Sequence, residues 1–199
     1  KMIVFGITGG SGSGKTSVSK MLEKLGVHII DTDVIAHEIV EPNSECLNEL
    51  VDYFGDSILN DDKTLNRKKL ASIAFSDKQK TVALSNITHK YIRAEVVKDI
   101  NTTDAELVGI DGAVIIGSNV EPLCEFIVSV IADKQSRITR IKTRDNITDE
   151  QAIQRINAQN DDEFYKENSM YIIYNNGDIA QLESDVVGLF NKIKGNSFE

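Results

Sequence analysis

Gly9-Gly10-Ser11-Gly12-Ser13-Gly14-Lys15-Thr16 decides the reading of this 199-residue chain. The octet follows an apolar run, Met2-Ile3-Val4-Phe5-Gly6-Ile7, and precedes a segment in which Val18, Met21, Leu22 and Leu25 recur at helical spacing. Strand, glycine-rich loop and helix in that order are the context a phosphate-binding loop requires. Glycines let backbone N–H groups turn inward around a triphosphate, and the new helix aims its partly positive N-terminus at the same anion. Gly10, Ser11, Gly12, Ser13, Gly14, Lys15, Thr16 and Ser17 are therefore the candidate contacts to a nucleoside triphosphate. Lys15 is placed to reach the outer phosphates, and the Thr16 hydroxyl is the candidate ligand of Mg2+.

Outward from the loop, Gly26 is placed to end the helix, and Val27-His28-Ile29-Ile30 reads as a short buried strand. Residues from about Asp33 to Ile100 carry little strand signal and several amphipathic stretches, the clearest being Leu84, Ile87, Tyr91 and Ala94. Strand character returns at Leu107–Asp111, Phe126–Ile131 and Met170–Tyr174. A second helical excursion runs from about Lys134 to Asn168, where Thr148 and Gln151 have the spacing of a capping box. The chain closes with Ile179, Leu182, Val186, Leu189, Phe190 and Ile193 on one helical face, capped by Asp178. The alternation predicts an α/β, P-loop NTPase-type three-layer fold. A nucleotide-binding core with a five-stranded, mainly parallel sheet takes residues 1–32, 105–133 and 169–199, with a helical insertion over 33–104 and a helical lid over 134–168.

Composition narrows the partners. A formal net charge of -9 gives no general attraction to nucleic acid, so a polyanionic substrate must meet a local cationic site. Four of the six arginines, Arg137, Arg140, Arg144 and Arg155, fall in the lid segment, and the first three share a helix face at spacings of three and four. No apolar stretch approaches the roughly 20 residues that span a bilayer, and the first residues read as a strand rather than a signal peptide. The expectation is a cytoplasmic protein with no membrane partner. Cys46 and Cys124 stand far apart and in no metal spacing, as free thiols of a reducing compartment do.

Asp31 and Asp33 fall at the end of the second strand, on the sheet edge where ligands of open α/β sheets collect. An extended strand would send them to opposite sides. Asp33 is the candidate catalytic carboxylate, accepting the acceptor hydroxyl's proton; its alternative is to cap the helix through Ile35, Ala36 and Ile39. Arg140 and Arg144 are the candidate lid contacts to the triphosphate, where guanidinium donors stabilise the charge of a transferring phosphoryl group. Asp111 ends a hydrophobic strand and is a second candidate to hold Mg2+ through water, or a strand-end turn residue. His37 and His89 read as helix-surface or satisfied core histidines, with a catalytic group as the alternative for each, and His28, within the strand, reads as structural.

In this order the motifs resemble the dephospho-CoA kinase family over almost the whole chain. They comprise Gly6 to Thr16, Ile30-Asp31-Thr32-Asp33 with Ile35-Ala36-His37, Val40-Glu41-Pro42, Leu65-Asn66-Arg67 with Leu70, Phe75-Ser76, and His89 with Ile92-Arg93. Later come Arg140, Arg144-Asp145, Arg155-Ile156 with Ala158-Gln159, and Ile173-Tyr174-Asn175-Asn176-Gly177. The resemblance implies transfer of the γ-phosphoryl group of ATP to the ribose 3′-hydroxyl of dephospho-CoA, with Mg2+, in the last step of coenzyme A synthesis. By the same resemblance Asp33 is the catalytic aspartate, Arg140 the lid arginine over ATP, and Asn175, Asn176 and Gly177 the turn beside the adenine. The insertion, with His37, Arg67, His89 and Arg93, is then the acceptor-binding domain.

Two stretches depart from the family pattern. Lys90 stands where the family has proline after the histidine, so the backbone there need not be restricted in the same way and the local loop geometry is expected to differ. Asp111-Gly112-Ala113-Val114-Ile115-Ile116-Gly117 replaces Asp-x-Pro-Leu-Leu-x-Glu, which loses an acidic group and predicts a looser backbone beside the acceptor. A kinase of another small molecule, such as a nucleotide or shikimate, is the nearest rival reading, and a nucleotide-binding regulator without catalysis the next. A GTP switch would need Asn-Lys-x-Asp, whereas Asn175-Asn176-Gly177-Asp178 lacks the lysine.

Overall fold

The computed structural model describes residues 1–195. β1 (Ile3–Thr8) stands at the centre of a five-stranded parallel sheet of order β2-β3-β1-β4-β5. The other strands are β2 (His28–Asp31), β3 (Leu107–Asp111), β4 (Phe126–Ile131) and β5 (Tyr171–Tyr174). Parallel strands covered on both faces read as unbroken apolar runs, which is why β1, β3 and β4 were visible in the sequence. Ile7 lies opposite Asp111 and Thr8 opposite Ser129, so the C-terminal ends of β3, β1 and β4 meet on one edge. Phe5 and Phe126 are paired across the ladder with rings stacked at 5.4 Å, and Phe126 meets Tyr171 edge-on at 5.4 Å.

α1 (Lys15–Lys24) and α9 (Ile179–Gly195) pack together, burying Val18, Leu22, Leu182, Val186, Leu189 and Ile193 with the β1 and β4 side chains. Full burial of each contributes about 1.5–3 kcal/mol, and it fixes the start of α1 against the end of β1. Gly26, at φ 98°, closes α1 in the left-handed conformation that favours glycine. Ile179 lies at the start of the predicted apolar face of α9 but is exposed. The second helical excursion resolves into α6 (Lys134–Asp145), α7 (Asp149–Asn157) and α8 (Asp162–Glu167). Asp133 caps α6, and Thr148 and Gln151 form the predicted capping box of α7. Ile138, Ile141, Ala152 and Ile156 give these helices a small core of their own.

The chain divides into two compact units, one of residues before Asp31 and from Thr103 onward, the other Asp31–Thr102. The second unit is helical: α2 (Thr32–Glu38), α3 (Glu45–Phe54), one 3-10 turn (Asp56–Ile58), α4 (Arg67–Ala74) and α5 (Lys78–Thr102). α2, α3 and α4 all pack on the 25-residue α5, around Ile35, Leu47, Leu50, Leu70, Ile87 and Val96. Of the predicted stripe, Ile87 is buried and Leu84 and Tyr91 half-buried, but Ala94 is exposed and Val96 takes the core position.

Both departures from the family pattern differ from expectation. Lys90 lies inside α5 rather than in a loop; its Nζ donates to Glu49 Oε2 on α3 at 2.5 Å, beside the Tyr91 hydroxyl donating to the same oxygen at 2.7 Å. The segment after β3 is tied down rather than loosened. Gly112 N donates to Ile7 O (3.1 Å), Thr8 Oγ1 to Ala113 O (3.3 Å) and Gly117 N to Glu121 Oε2 (2.5 Å), while Ile115 is buried.

Candidate active site

The loop between β1 and α1 takes a shape that two glycines make possible. Gly12 and Gly14 have φ of 77° and 96°, where a side chain is strained. A Cβ at Gly12 would lie 2.7 Å from Arg137 O, and one at Gly14 would collide with Asn175 Nδ2. Gly14 caps α1 without a side-chain hydrogen bond and Ser17 N closes back on Gly14 O at 2.9 Å, which leaves the amides before it, at the very start of the helix, to meet an anion. Ser13 N donates to Gly10 O at 3.1 Å, closing the turn. Ser13 Oγ is buried with no hydrogen-bond partner, a costly state for a hydroxyl unless a ligand satisfies it.

Cations surround this loop. Lys15 Nζ is paired with Asp111 Oδ1, the two side chains being 15% and 5% exposed, so the carboxylate predicted to serve Mg2+ balances the loop lysine here. Arg137 is buried; its Nε donates to Ser11 O at 2.9 Å and its Nη2 to Gln159 Oε1 at 3.3 Å, with Asp162 at 4.0 Å. Burial pulls the Arg137 guanidinium below its ordinary value, and Asp162 and Tyr165 oppose that shift. Half-buried Arg140 donates from Nη1 to Gly12 O (3.2 Å) and Ser13 O (3.3 Å), and from Nη2 to Asn175 O (2.9 Å).

The Asn175–Gly177 turn follows β5. Asn175 is buried, donates from Nδ2 to Ser13 O at 2.8 Å and from its backbone N to Ile131 O at 2.8 Å. Asn176 Oδ1 accepts from Asp133 N at 2.7 Å, which joins the turn to the start of α6. Thr16, Ser17 and Gly177 are exposed. Arg144 is exposed too and makes a two-pronged contact with Asp145, at 2.7 and 2.8 Å, and Arg155 binds the same carboxylate. Hydrogen bonds from Arg144, and from Arg155, hold the Asp145 carboxyl down at about 2. The arginines of α6 thus do not act as one stripe.

Arg137 was not singled out from that stripe, and Gln159 was noted only within a family motif. Their tie is invisible locally, because Gln159 also accepts from Ser11 N (2.8 Å) and donates to Ser11 Oγ (3.1 Å) across 148 residues of sequence.

In the helical unit, taken by itself, Asp31 rather than Asp33 caps α2: its Oδ1 accepts from Asp33 N at 2.8 Å and Val34 N at 3.1 Å. The capping alternative for Asp33 is thereby removed. Asp33 and His37 are exposed and one turn apart on α2, and His89 and Arg93 one turn apart on α5. Arg67 is the exposed first residue of α4, which Asn66 caps.

A glycine-rich loop at the end of the central strand β1, whose connection runs outward to β2 while that of the neighbouring β3 crosses over to β4, marks a P-loop phosphotransferase. The family model for dephospho-CoA kinases matches residues 3–181, so the chain belongs to the dephospho-CoA kinase family: ATP-dependent kinases of coenzyme A biosynthesis with a hydroxyl acceptor. A dephospho-CoA kinase of Lactobacillus johnsonii is 34% identical over 191 residues, covering 94% of this chain and 96% of the relative. One of Listeria monocytogenes is 34% identical over 194 residues, covering 96% and 97%. Among solved structures, the dephospho-CoA kinase from Campylobacter jejuni aligns with TM-score 0.69 at 27% identity, covering 97% of this chain and 98% of the other. Shikimate kinase from Acinetobacter baumannii, at TM-score 0.57 and 18% identity over 100% and 97% of the two chains, shares the fold.

Proposed function

We propose that this chain transfers the γ-phosphoryl group of ATP to the ribose 3′-hydroxyl of dephospho-CoA, giving CoA and ADP, with Mg2+ as its metal. The observation that carries the reading is the phosphate loop with Lys15 held beside it by Asp111. The inward amides of the loop and the orphaned Ser13 hydroxyl receive phosphate oxygens. Lys15 exchanges Asp111 for the outer phosphates. The Thr16 hydroxyl and the Asp111 carboxylate are hard oxygen donors, and Mg2+ needs only one or two such groups besides phosphates and water. Bound there, Mg2+ would neutralise charge on the phosphate oxygens.

Arg140 adds positive charge beside the loop, and Asn175–Gly177 borders the adenine. Asp33 accepts the proton of the 3′-hydroxyl as its oxygen bonds to the γ-phosphorus and the bond to the β,γ-bridging oxygen breaks. His37, Arg67, His89 and Arg93 hold the acceptor within residues 33–104, and the segment 134–168 closes over the nucleotide to exclude water. Among the described residues no helix is long and apolar enough to cross a membrane, in keeping with a cytoplasmic site of action.

ADP formation from Mg-ATP is the test, with dephospho-CoA as acceptor and adenosine, AMP and shikimate in parallel. Turnover that depends on dephospho-CoA is the expected result. Turnover with shikimate or AMP instead, or ATP binding with no turnover, would overturn the acceptor assignment.

A further inference from the structure

We propose that Arg137 and Gln159 are positioning residues that set the phosphate loop from its carbonyl side, so that the amides of Gly12 and Gly14 face the nucleotide's phosphates. The proposal rests on the kinase reading only in taking the loop's ligand to be a nucleoside polyphosphate.

Three consecutive carbonyls of the loop are taken from outside. Ser11 O accepts from Arg137 Nε at 2.9 Å, Gly12 O from Arg140 Nη1 at 3.2 Å, and Ser13 O from Asn175 Nδ2 at 2.8 Å. A trans peptide points its C=O and the following N–H in opposite directions. Turning Ser11 O toward Arg137 therefore sends the Gly12 amide into the loop, and turning Ser13 O toward Asn175 does the same for the Gly14 amide. The amide between them, on Ser13, closes the turn to Gly10 O. Peptides flanking glycine rotate at little steric cost, so the loop alone has no strong reason to keep these carbonyls turned outward.

Ser11 is where the hold is most complete. Its carbonyl goes to Arg137, its amide to Gln159 Oε1 at 2.8 Å and its hydroxyl to Gln159 Nε2 at 3.1 Å, while Arg137 Nη2 donates to Gln159 Oε1 at 3.3 Å. A guanidinium buried to 6% exposure and committed to backbone is a built contact, not a solvated surface arginine. Its fork of donors serves Ser11 O and Gln159 together, which a lysine ammonium cannot reproduce. Gln159 lies between α7 and α8, and Asp162, the first residue of α8, is 4.0 Å from Arg137. The loop's setting is thus tied to the helical segment that follows it by well over a hundred residues.

The experiment measures ADP and ATP affinity calorimetrically, without acceptor, for the parent chain and for Arg137→Ala, Arg137→Lys and Gln159→Ala. Thermal midpoints and the 15N–1H signals of Gly12 and Gly14 are recorded without nucleotide. Loss of the hold weakens ADP and ATP alike, by about ten- to a hundredfold in Arg137→Ala on the scale of hydrogen bonds to charged groups. Arg137→Lys gives no rescue, and both glycine amide signals move. Weakened ATP with ADP binding retained would assign Arg137 a direct contact with the transferring phosphoryl group and overturn the proposal. So would parental ADP affinity in any folded variant of the set. Should Arg137→Ala fail to fold, Arg137→Lys and Gln159→Ala are read by the same criteria. Because no acceptor is present, an error in the acceptor assignment leaves the result intact, whereas a parent chain that binds neither nucleotide contradicts the kinase reading itself.

Discussion

The two ends of α6 carry the same kind of side chain at helical spacing, and their arginines meet different fates. Toward the start, Arg137 and Arg140 turn inward onto the carbonyls of Ser11, Gly12 and Ser13. In the last turn, Arg144 stays in solvent and shares Asp145 with Arg155 of α7. The inner pair meets an array of backbone oxygens in a partly desolvated setting, where a missing hydrogen bond leaves a buried charge or carbonyl unsatisfied. The outer pair meets one carboxylate in water, where an ion pair is worth about 0–1 kcal/mol. Charge alone does not mark a functional arginine; what its donors reach does.

The comparison can be broken or sharpened by substitution. The largest effect lies outside α6: Asp33→Asn lowers kcat about 10²- to 10⁴-fold, the range of general-base catalysis, with ATP affinity kept within a few-fold. Steady-state turnover beside nucleotide titration separates the two, and normal turnover removes Asp33 from its role. Lys15→Ala lowers turnover about 10²- to 10³-fold, as loss of one electrostatic donor does, and weakens ATP as well. At the outer end of α6, Arg144→Ala changes the KM for ATP by less than about threefold, in line with an exposed pair. A larger rise would put Arg144 among the nucleotide contacts and erase the contrast between the two ends.

The smallest effect concerns pH. Asp145 ionises at about 2 in the folded chain, below the roughly 3.9 of an unperturbed aspartate. Its folded value is depressed, so its contribution to stability is present above about pH 4 and fades as pH falls from there toward 2. The difference in thermal midpoint between parent and Asp145→Asn should therefore be small at pH 7, shrink with added salt and diminish further below pH 4. A difference that grew on acidification would contradict the pairing.

The sheet and the loop were legible because their signals are local. β3 and β4 occupy the very residues whose unbroken apolar character marked them, Leu107–Asp111 and Phe126–Ile131, and the glycines at 12 and 14 sit where the backbone needs positive φ. What escaped was tertiary. Strand alternation separated Asp31 from Asp33 only while the chain stayed extended, yet α2 begins at Thr32 and makes Asp31 its cap. Lys90 was read against a loop, but α5 runs through it to Thr102. Asp111 carried the signal of a metal-binding carboxylate and is met by Lys15. Arg137 and Gln159 are 22 residues apart, and only folding shows that both serve Ser11.

The most direct measurement is to locate the phosphoryl group after reaction of Mg-ATP and dephospho-CoA with this chain, by phosphorus NMR and mass spectrometry of the product. The account predicts one new phosphomonoester on the ribose 3′-oxygen and its loss with Asp33→Asn. No phosphorylated product despite ATP binding, or a phosphoryl group on any other oxygen, would contradict it.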